Sequence, residues 1–508
     1  MPTFAAVDVG SNSVRLKIAK LVQGRLQTLH EDREVTRLGE SVFRGGMVAP
    51  EAIAQTVKVL SRFHRAATAA GTDKVRVVAT SALRDARNSS SFLEWVRSAT
   101  GWRPEIITGI EEGRLIHLGI ISNTRVAAVP LLLIDLGGGS CELTVSEDGQ
   151  IRSMVSLPLG AVRLTEEFIQ NDPPKKKELE RLRQYIAEET GRWEQRIRRR
   201  GMTQVIATSG TAAALAALAE HATKSSQWKR NYVTRSAMAK IVAEVSKKNL
   251  AQRQATQGIG PRRAEIIIAG AHVYADIVER FGLPGFTYSP LGLRDGILAQ
   301  MVAEFDRRTA AGRRMEEERE AGLMEVAKHY GADMRYAEHV RELALSLFRQ
   351  LKAVHQLPPE YEEWLSAAAI MQEVGSFINR SGRHRHAYYI IANSEIFGFT
   401  TEQRRLIAAI TRYVGKSRPS PQDRALRLLT PRDRQLVPKA IMLLRMARAL
   451  NQGRKNAVVD VAAKAKDSVV QFRLQTKRGG AELEAWSLLK EKTYFREAFG
   501  RDLALADS

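Results

Sequence analysis

The 508-residue sequence predicts an α/β protein of two related lobes followed by a helical domain. Three observations predict it. β-branched strand segments alternate with helical stretches as far as about residue 305. One short Asp-x-Gly loop occurs twice, as Asp8-Val9-Gly10-Ser11-Asn12-Ser13 and as Asp135-Leu136-Gly137-Gly138-Gly139-Ser140. Beyond residue 306 the texture changes to a dense charged stretch, Arg313 to Arg319, and then to apolar positions at helical spacing. The expected bounds are 1–125 for lobe I, 126–305 for lobe II and 306–508 for the helical domain. Three domains also suit the length, at roughly 100 to 200 residues per domain.

Val75 to Ala79, Leu131 to Asp135 and Val205 to Thr208 read as strands. Each copy of the loop follows an apolar strand and precedes an alternating one, Val14 to Ala19 in the first case and Cys141 to Val145 in the second. Each therefore reads as strand, tight turn, strand. Glycine lets the backbone approach an anion, successive N–H groups form an anion-binding nest, and hydroxyls add donors. Asn12, Ser13, Gly138, Gly139 and Ser140 are accordingly the expected phosphate donors. Gly210-Thr211 opens the Ala-rich helix Ala212 to Ala219, whose N-terminus is a further candidate anion site; structural capping by Thr208 or Ser209 is the competing reading. In the last third, Val340 to Leu351 and Leu365 to Val374 carry helical periodicity. Pro358-Pro359 and Arg418-Pro419-Ser420-Pro421 mark loops, and Val470 to Leu474 alternates like a single strand.

Lys and Arg number 78 against 56 acidic residues, a formal charge of +22 that should attract a polyanion in a salt-dependent way. The clusters Lys175 to Lys177, Arg196 to Arg200 and Arg380 to Arg385 concentrate that charge, but charge alone does not choose between DNA, RNA and polyphosphate. Apolar runs such as Ala127 to Ile134 fall far short of the roughly 20 residues that span a bilayer, so no membrane segment is expected. The N-terminus enters a strand-like stretch without a signal-peptide pattern, and a single cysteine, Cys141, suits a reducing compartment, so cytoplasm is the expected location. Cys141 lacks an evident His partner and reads as a small residue packed beneath the second loop.

Paired Asp-x-Gly loops across a cleft resemble those of the actin, sugar kinase and heat-shock ATPase superfamily, whose lobes are ribonuclease H-like. Further segments narrow the resemblance: Asp8-Val-Gly-Ser-Asn-Ser-Val-Arg-Leu, Ala79-Thr-Ser-Ala-Leu-Arg84-Asp-Ala-Arg-Asn88, Gly109-Ile-Glu111-Glu112-Gly-Arg114-Leu, Asp135-Leu-Gly-Gly-Gly-Ser-Cys-Glu142-Leu and Ala207-Thr-Ser-Gly-Thr211. With Arg263-Ala-Glu-Ile-Ile and Leu291-Gly-Leu-Arg294-Asp295-Gly296, they resemble the exopolyphosphatase and guanosine pentaphosphate phosphohydrolase family over about the first 300 residues. Cys141 departs from the threonine more usual there. The resemblance implies that Glu112 is the general base acting on water, that Glu142 is a second carboxylate placing water or metal, that Arg263 belongs to the phosphate site, and that the chain is a homodimer. A carboxylate sharing a cleft with Glu111 and Glu142 should have a raised pKa, which suits proton transfer near neutral pH. Phosphoryl transfer also needs charge neutralisation. Arg84 offers a planar fork for a phosphate, whereas Arg87 reads as a surface charge, and Asp8 and Asp135 suit Mg²⁺ or another divalent cation, held through water.

The last third resembles the HD-type helical domain of long family members through Glu338-His339-Val-Arg, Ala369-Ile-Met-Gln372-Glu373-Val-Gly375, His384-Arg-His386 and Asn393-Ser394. Where metal-dependent HD enzymes carry His-Asp, this chain has Gln372-Glu373, and Gln is a poor imidazole substitute, so no second metal-dependent centre is expected. Its basic residues, Arg380, Arg383, Arg385, Arg412, Lys416 and Arg418, are candidates for holding the distal part of a polyanion. The leading expectation is processive release of orthophosphate from inorganic polyphosphate. The alternative expectation is hydrolysis of guanosine pentaphosphate by the same groups, with guanosine pentaphosphate and tetraphosphate as candidate partners. An ATP-dependent sugar kinase fits the lobes but not the Glu-Glu-Gly-Arg segment, and a nucleic-acid-binding module fits the charge but lacks a recognition signature.

Overall fold

The structure, a computed structural model, describes residues 1–506 apart from 41, 125–128, 199–200, 203, 223–230, 262, 307, 416 and 478–479. Ala127, Ala128, Arg199, Arg200 and Lys416, which entered the apolar-run and basic-cluster readings, lie outside the described residues. Two compact units result, Met1–Arg313 and Arg314–Ser508.

The first unit contains two sheets. One comprises β1 (Thr3–Val9), β2 (Ser13–Val22), β3 (Arg25–Val35), β4 (Lys74–Ala79) and β5 (Glu105–Ile106), in the order β3-β2-β1-β4-β5. The other comprises β6 (Leu131–Leu136), β7 (Cys141–Glu147), β8 (Gln150–Leu157), β9 (Gln204–Thr208), β10 (Tyr232–Thr234) and β11 (Gly285–Tyr288), in the order β8-β7-β6-β9-β11-β10. Apart from the added edge strand β10, the two orders are the same, and so are the strand directions: β1/β2 and β6/β7 antiparallel, β1/β4 and β6/β9 parallel. The repeat visible in two loops thus extends to two whole sheets, the actin-like, ribonuclease H-like lobe twice over.

Continuous apolar runs mark the central strands because both of their faces are covered. In β6, Leu132, Ile134 and Leu136 enter one core while Leu131 and Leu133 enter another. That second core also takes Phe4 and Ala6 of β1, together with Leu115, Ile116 and Ile120 from the helix Gly109–Asn123 and Ile297, Leu298 and Met301 from the helix Leu293–Phe305. These two helices meet backbone to backbone: a β-carbon on Gly296 would stand 1.7 Å from the Leu115 carbonyl oxygen. The contact holds the helix bearing Glu112 in a fixed position against both sheets.

In the second unit the helices Met334–Gln350, Glu360–Met371, Thr401–Arg412 and Pro431–Ala449 bury Leu343, Leu347, Ile370, Ile407 and Leu443 in one core. The expected strand near residue 470 is the middle of a three-stranded sheet, β12 (Val458–Lys466), β13 (Val469–Thr476) and β14 (Asp502–Leu505), with β13 antiparallel to β12 and parallel to β14. His339 Nε2 lies 2.8 Å from the Val458 carbonyl, Gln372 donates to the Ala369 carbonyl at 3.1 Å, and Glu373 pairs with Arg454, so these three positions are engaged within the unit. Among the described residues no helix is long and apolar enough to cross a membrane.

Candidate active site

The two Asp-x-Gly loops close in the same way. Gly10 N–H donates to the Ser13 carbonyl at 3.2 Å, and Gly137 N–H donates to the Ser140 carbonyl at 3.0 Å. Both face one cleft of about 260 Å³. Of the residues expected from sequence, Asp8, Asn12, Ser13, Glu112, Asp135, Gly138, Ser140, Gly210 and Arg263 line it. Glu142 is buried in the wall beside it, its antiparallel partner being Asp135, so a seven-residue spacing in sequence becomes a face-to-face pair in the β6–β7 hairpin. Gly139 is packed against Ser81 and Phe43, and Thr211 receives the Arg263 guanidinium at 3.5 Å. Arg84 spends one N–H on the Ile107 carbonyl at 2.8 Å, and that nitrogen lies 3.6 Å from Glu112 Oε2. It is therefore beside the carboxylate rather than on the cleft wall.

Glu111 does not share the cleft with Glu112. Its carboxylate is gripped by the fully buried Arg114 in two hydrogen bonds of 2.7 and 2.9 Å, and Arg114 also donates to Gln300 at 2.6 Å. Of the Glu-Glu pair, Glu111 locks the helix and Glu112 is turned toward the loops. Gly113 permits this placement, since a β-carbon there would approach Met154 Sδ to 2.7 Å and Thr144 Oγ1 to 3.3 Å, pushing the helix away from β7 and β8.

Carboxylate oxygens of Glu112, Asp135 and Glu142 lie within 4.8 Å of one another. Asp135 Oδ1 accepts from the hydroxyls of Thr208 and, at 2.6 Å, Ser209, the residues that lead into the helix Ser209–Ala222. Ser156 donates to Glu142 Oε1 at 2.7 Å, while Glu142 Oε2 and Glu112 Oε2 are buried without a hydrogen-bond partner. Burial, and then the charge of Glu142, hold the Glu112 carboxyl well above the usual carboxylate range, against the pull of Arg84. Glu142 is pushed up to about 7 by burial and by Asp135, with Ser156 and Ser140 opposing. Burial also raises Asp8, partly offset by Arg15. Two orphaned oxygens in an all-carboxylate set fit a hard divalent cation, because such a charge would satisfy both and let all three groups ionise together. Asp135 belongs to this set; Asp8 lines the cleft without joining it.

Sequence reading missed much of the positive wall. Arg15, Arg33 and Arg294 line the cleft with Arg263. Arg15 stands opposite Asp8 in the β1–β2 ladder, the position that Glu142 takes against Asp135, so the repeat itself was the available signal. Arg33 is opposite Arg15 across β2 and β3, a register no motif reveals. Burial, with Arg33 and Arg15 next, lowers Arg263 to about 10, and burial and Arg15 lower Arg294. Gly210 exists to admit Arg263, whose Nη2 would be 2.0 Å from a β-carbon there.

A nest of loop amides, a set of carboxylates and a wall of arginines in a cleft of actin-like lobes define a phosphohydrolase. The chain belongs to the Ppx/GppA phosphatase family: residues 17–305 match that family and residues 319–492 match its domain III. Among solved structures, the Ppx/GppA family member of Aquifex aeolicus is 29% identical, with a TM-score of 0.52 over 60% of this chain and 99% of that one. A protein described as exopolyphosphatase-like is 28% identical, with a TM-score of 0.55 over 60% of this chain and 98% of that one. An exopolyphosphatase from Cytophaga hutchinsonii, 23% identical, shares the fold with a TM-score of 0.55 over 59% of this chain and 98% of its own.

Proposed function

We propose that the protein is an exopolyphosphatase that releases orthophosphate from the end of inorganic polyphosphate, with Glu112 as general base. The observation that supports this reading is the buried Glu112 Oε2, which makes no hydrogen bond, has the Arg84 guanidinium 3.6 Å away and belongs to a residue lining the cleft of the two phosphate-type loops. A base with a raised pKa is matched to proton transfer near neutral pH, and its desolvation makes the transfer more favourable in the cleft than in water.

In this mechanism the N–H groups of Gly138 and Ser140 and the side chains of Asn12 and Ser13 bind the terminal phosphoryl oxygens and orient phosphorus toward Glu112. Glu112 takes a proton from the attacking water. Arg84, beside Glu112, limits how far its pKa rises. Glu142 and Asp135, whose carboxylate oxygens lie within 4.8 Å of that of Glu112, help position the water, and Arg15, Arg33, Arg263 and Arg294 hold the anionic remainder of the substrate. A divalent cation, Mg²⁺ by the hard oxygen donors of Asp135 and Glu142, would supply positive charge to the transferring phosphoryl group and leave Glu112 to act on water. The protein would act as a homodimer in the cytoplasm; sedimentation tests the first point.

A second reading, hydrolysis of guanosine pentaphosphate, draws support from Tyr288, the one aromatic among the described residues that line the cleft and a platform for a purine. Measuring kcat/KM for long-chain polyphosphate and for guanosine pentaphosphate on one preparation separates the two. The proposal expects the higher value with polyphosphate, and a clear preference for the nucleotide overturns it.

A further inference from the structure

The glycine carbonyls of the second Asp-x-Gly loop are all held by one helix. Gly137 O accepts from Ala161 N–H at 3.0 Å, and Gly138 O accepts from Val162 N–H at 2.8 Å and Arg163 N–H at 3.1 Å. These amides form the first turn of the helix Ala161–Phe168, which begins after Gly160. A β-carbon on Gly160 would stand 2.2 Å from Gly139 Cα, so the start of the helix lies directly on the loop. The third carbonyl is held by a side chain: Arg163 Nε donates to Gly139 O at 2.8 Å.

In a trans peptide the C=O and N–H point in opposite directions. Turning the Gly139 carbonyl toward Arg163 therefore turns the Ser140 N–H away from the helix, and Gly138 and Ser140 line the cleft. Among the described residues, the amides of Gly138, Gly139 and Ser140 donate to no backbone carbonyl. Gly139 has no β-carbon to resist rotation of that peptide, and in the reversed orientation its carbonyl would face the anion.

Arg163 is itself held by the opposite lobe. Its Nη2 pairs with Asp85, the last residue of the helix Ser81–Asp85, and its guanidinium lies 4.1 Å from the centre of the Phe43 ring. Phe43 also presses on the loop, since a β-carbon on Gly139 would stand 2.4 Å from Phe43 Cζ. The Asp85 side chain is 37% exposed, so solvent screens the pair and its consequence is orientation of the guanidinium more than stability. With Nε on Gly139 O and Nη2 on Asp85, the Arg163 guanidinium is engaged by the loop and the opposite lobe, unlike the arginines of the cleft wall.

We infer that Arg163 is a positioning residue for phosphoryl transfer: it sets the Gly139–Ser140 peptide so that the Ser140 N–H meets the transferring phosphoryl group, and Asp85 and Phe43 hold it in place. The inference rests on the reading that the loop amides bind the terminal phosphoryl oxygens. A donor fixed beforehand where charge develops needs no reorganisation in the transition state. Because Arg163 and its two holders belong to different lobes, the donor set of the second loop is complete only while the lobes touch at this point.

Turnover of polyphosphate and of guanosine pentaphosphate by the full chain tests the role, together with orthovanadate binding measured by titration calorimetry. Orthovanadate takes up the five-coordinate geometry of the transferring phosphoryl group, so its affinity follows the transition state. Arg163→Ala should lower kcat roughly tenfold to 10²-fold with KM changed by less than about threefold, and should raise the orthovanadate Kd by the same factor as kcat falls. Millimolar guanidinium chloride should restore kcat several-fold relative to sodium chloride of equal ionic strength, which a merely structural role would not allow. Asp85→Asn should show a smaller loss of the same kind, and the double variant should be no slower than Arg163→Ala, since both changes act through one guanidinium. A folded Arg163→Ala chain with normal kcat, a loss confined to KM, or an absence of rescue overturns the role. Should Arg163→Ala fail to fold, Asp85→Asn makes the test by the same kcat and orthovanadate readings. If the unmodified chain cleaves neither substrate, the functional reading fails while the orthovanadate arm still tests Arg163; if it does not bind orthovanadate either, both are overturned.

Discussion

Glu142 stands directly across the β6–β7 ladder from Asp135, and its Oε2 is buried without a hydrogen bond. Burial first, and then the charge of Asp135, shift Glu142 from 4.5 to about 7. A carboxyl whose folded pKa exceeds its unfolded value holds its proton longer in the fold, so stability falls as pH rises through that window. Without divalent cation, the first unit should lose about 3 kcal/mol of unfolding free energy between pH 4.5 and about 7, an order-of-magnitude figure from the shift. Urea titrations in EDTA at the two ends of the window measure it. Added Mg²⁺ and Glu142→Gln should each flatten the slope.

Glu112→Gln keeps the shape of the side chain and removes the base. The expected result is a loss in kcat of roughly 10²-fold or more, with substrate affinity retained. Equilibrium binding of polyphosphate and single-turnover hydrolysis measure the two quantities separately. A near-normal turnover would remove Glu112 from the role of base.

Sequence made the lobes legible because the Asp-x-Gly loop occurs twice at matched places, and the seven-residue spacing from Asp135 to Glu142 is the length of the hairpin that pairs them. The division of labour between Glu111 and Glu112 was legible in principle: Arg114 is three residues beyond Glu111, so one helix face takes that pair and leaves Glu112 on another. Arg33 was not legible, because its place opposite Arg15 depends on the register of β2 and β3, which pairs them despite like charge. β14 escaped notice because four residues are too few to display a period and its partner β13 lies far back in the chain.

Gly296→Ala should be severely destabilising. The added β-carbon would collide with the Leu115 carbonyl, a backbone atom that cannot rotate away, and would separate the helices Gly109–Asn123 and Leu293–Phe305. A cost of about 3 kcal/mol is expected, measured as a shift in the urea midpoint. Gly45→Ala, where nothing lies within 4 Å, is the matched control and should shift it little.

Arg15 and Arg33 carry like charges directly opposite each other, and both line the cleft, as do Arg263 and Arg294. A polyanionic substrate in the cleft would meet both charges. Arg15→Gln should therefore raise KM for long-chain polyphosphate more than it lowers kcat. Each phosphate contact contributes close to one unit of slope when log KM is plotted against log salt, so the substitution should reduce that slope by about 1. Steady-state kinetics across a salt series gives both numbers. An unchanged slope would mean that Arg15 compensates Asp8 and does not meet the chain, because the charge of Asp8 is the other one that Arg15 visibly opposes in the structure.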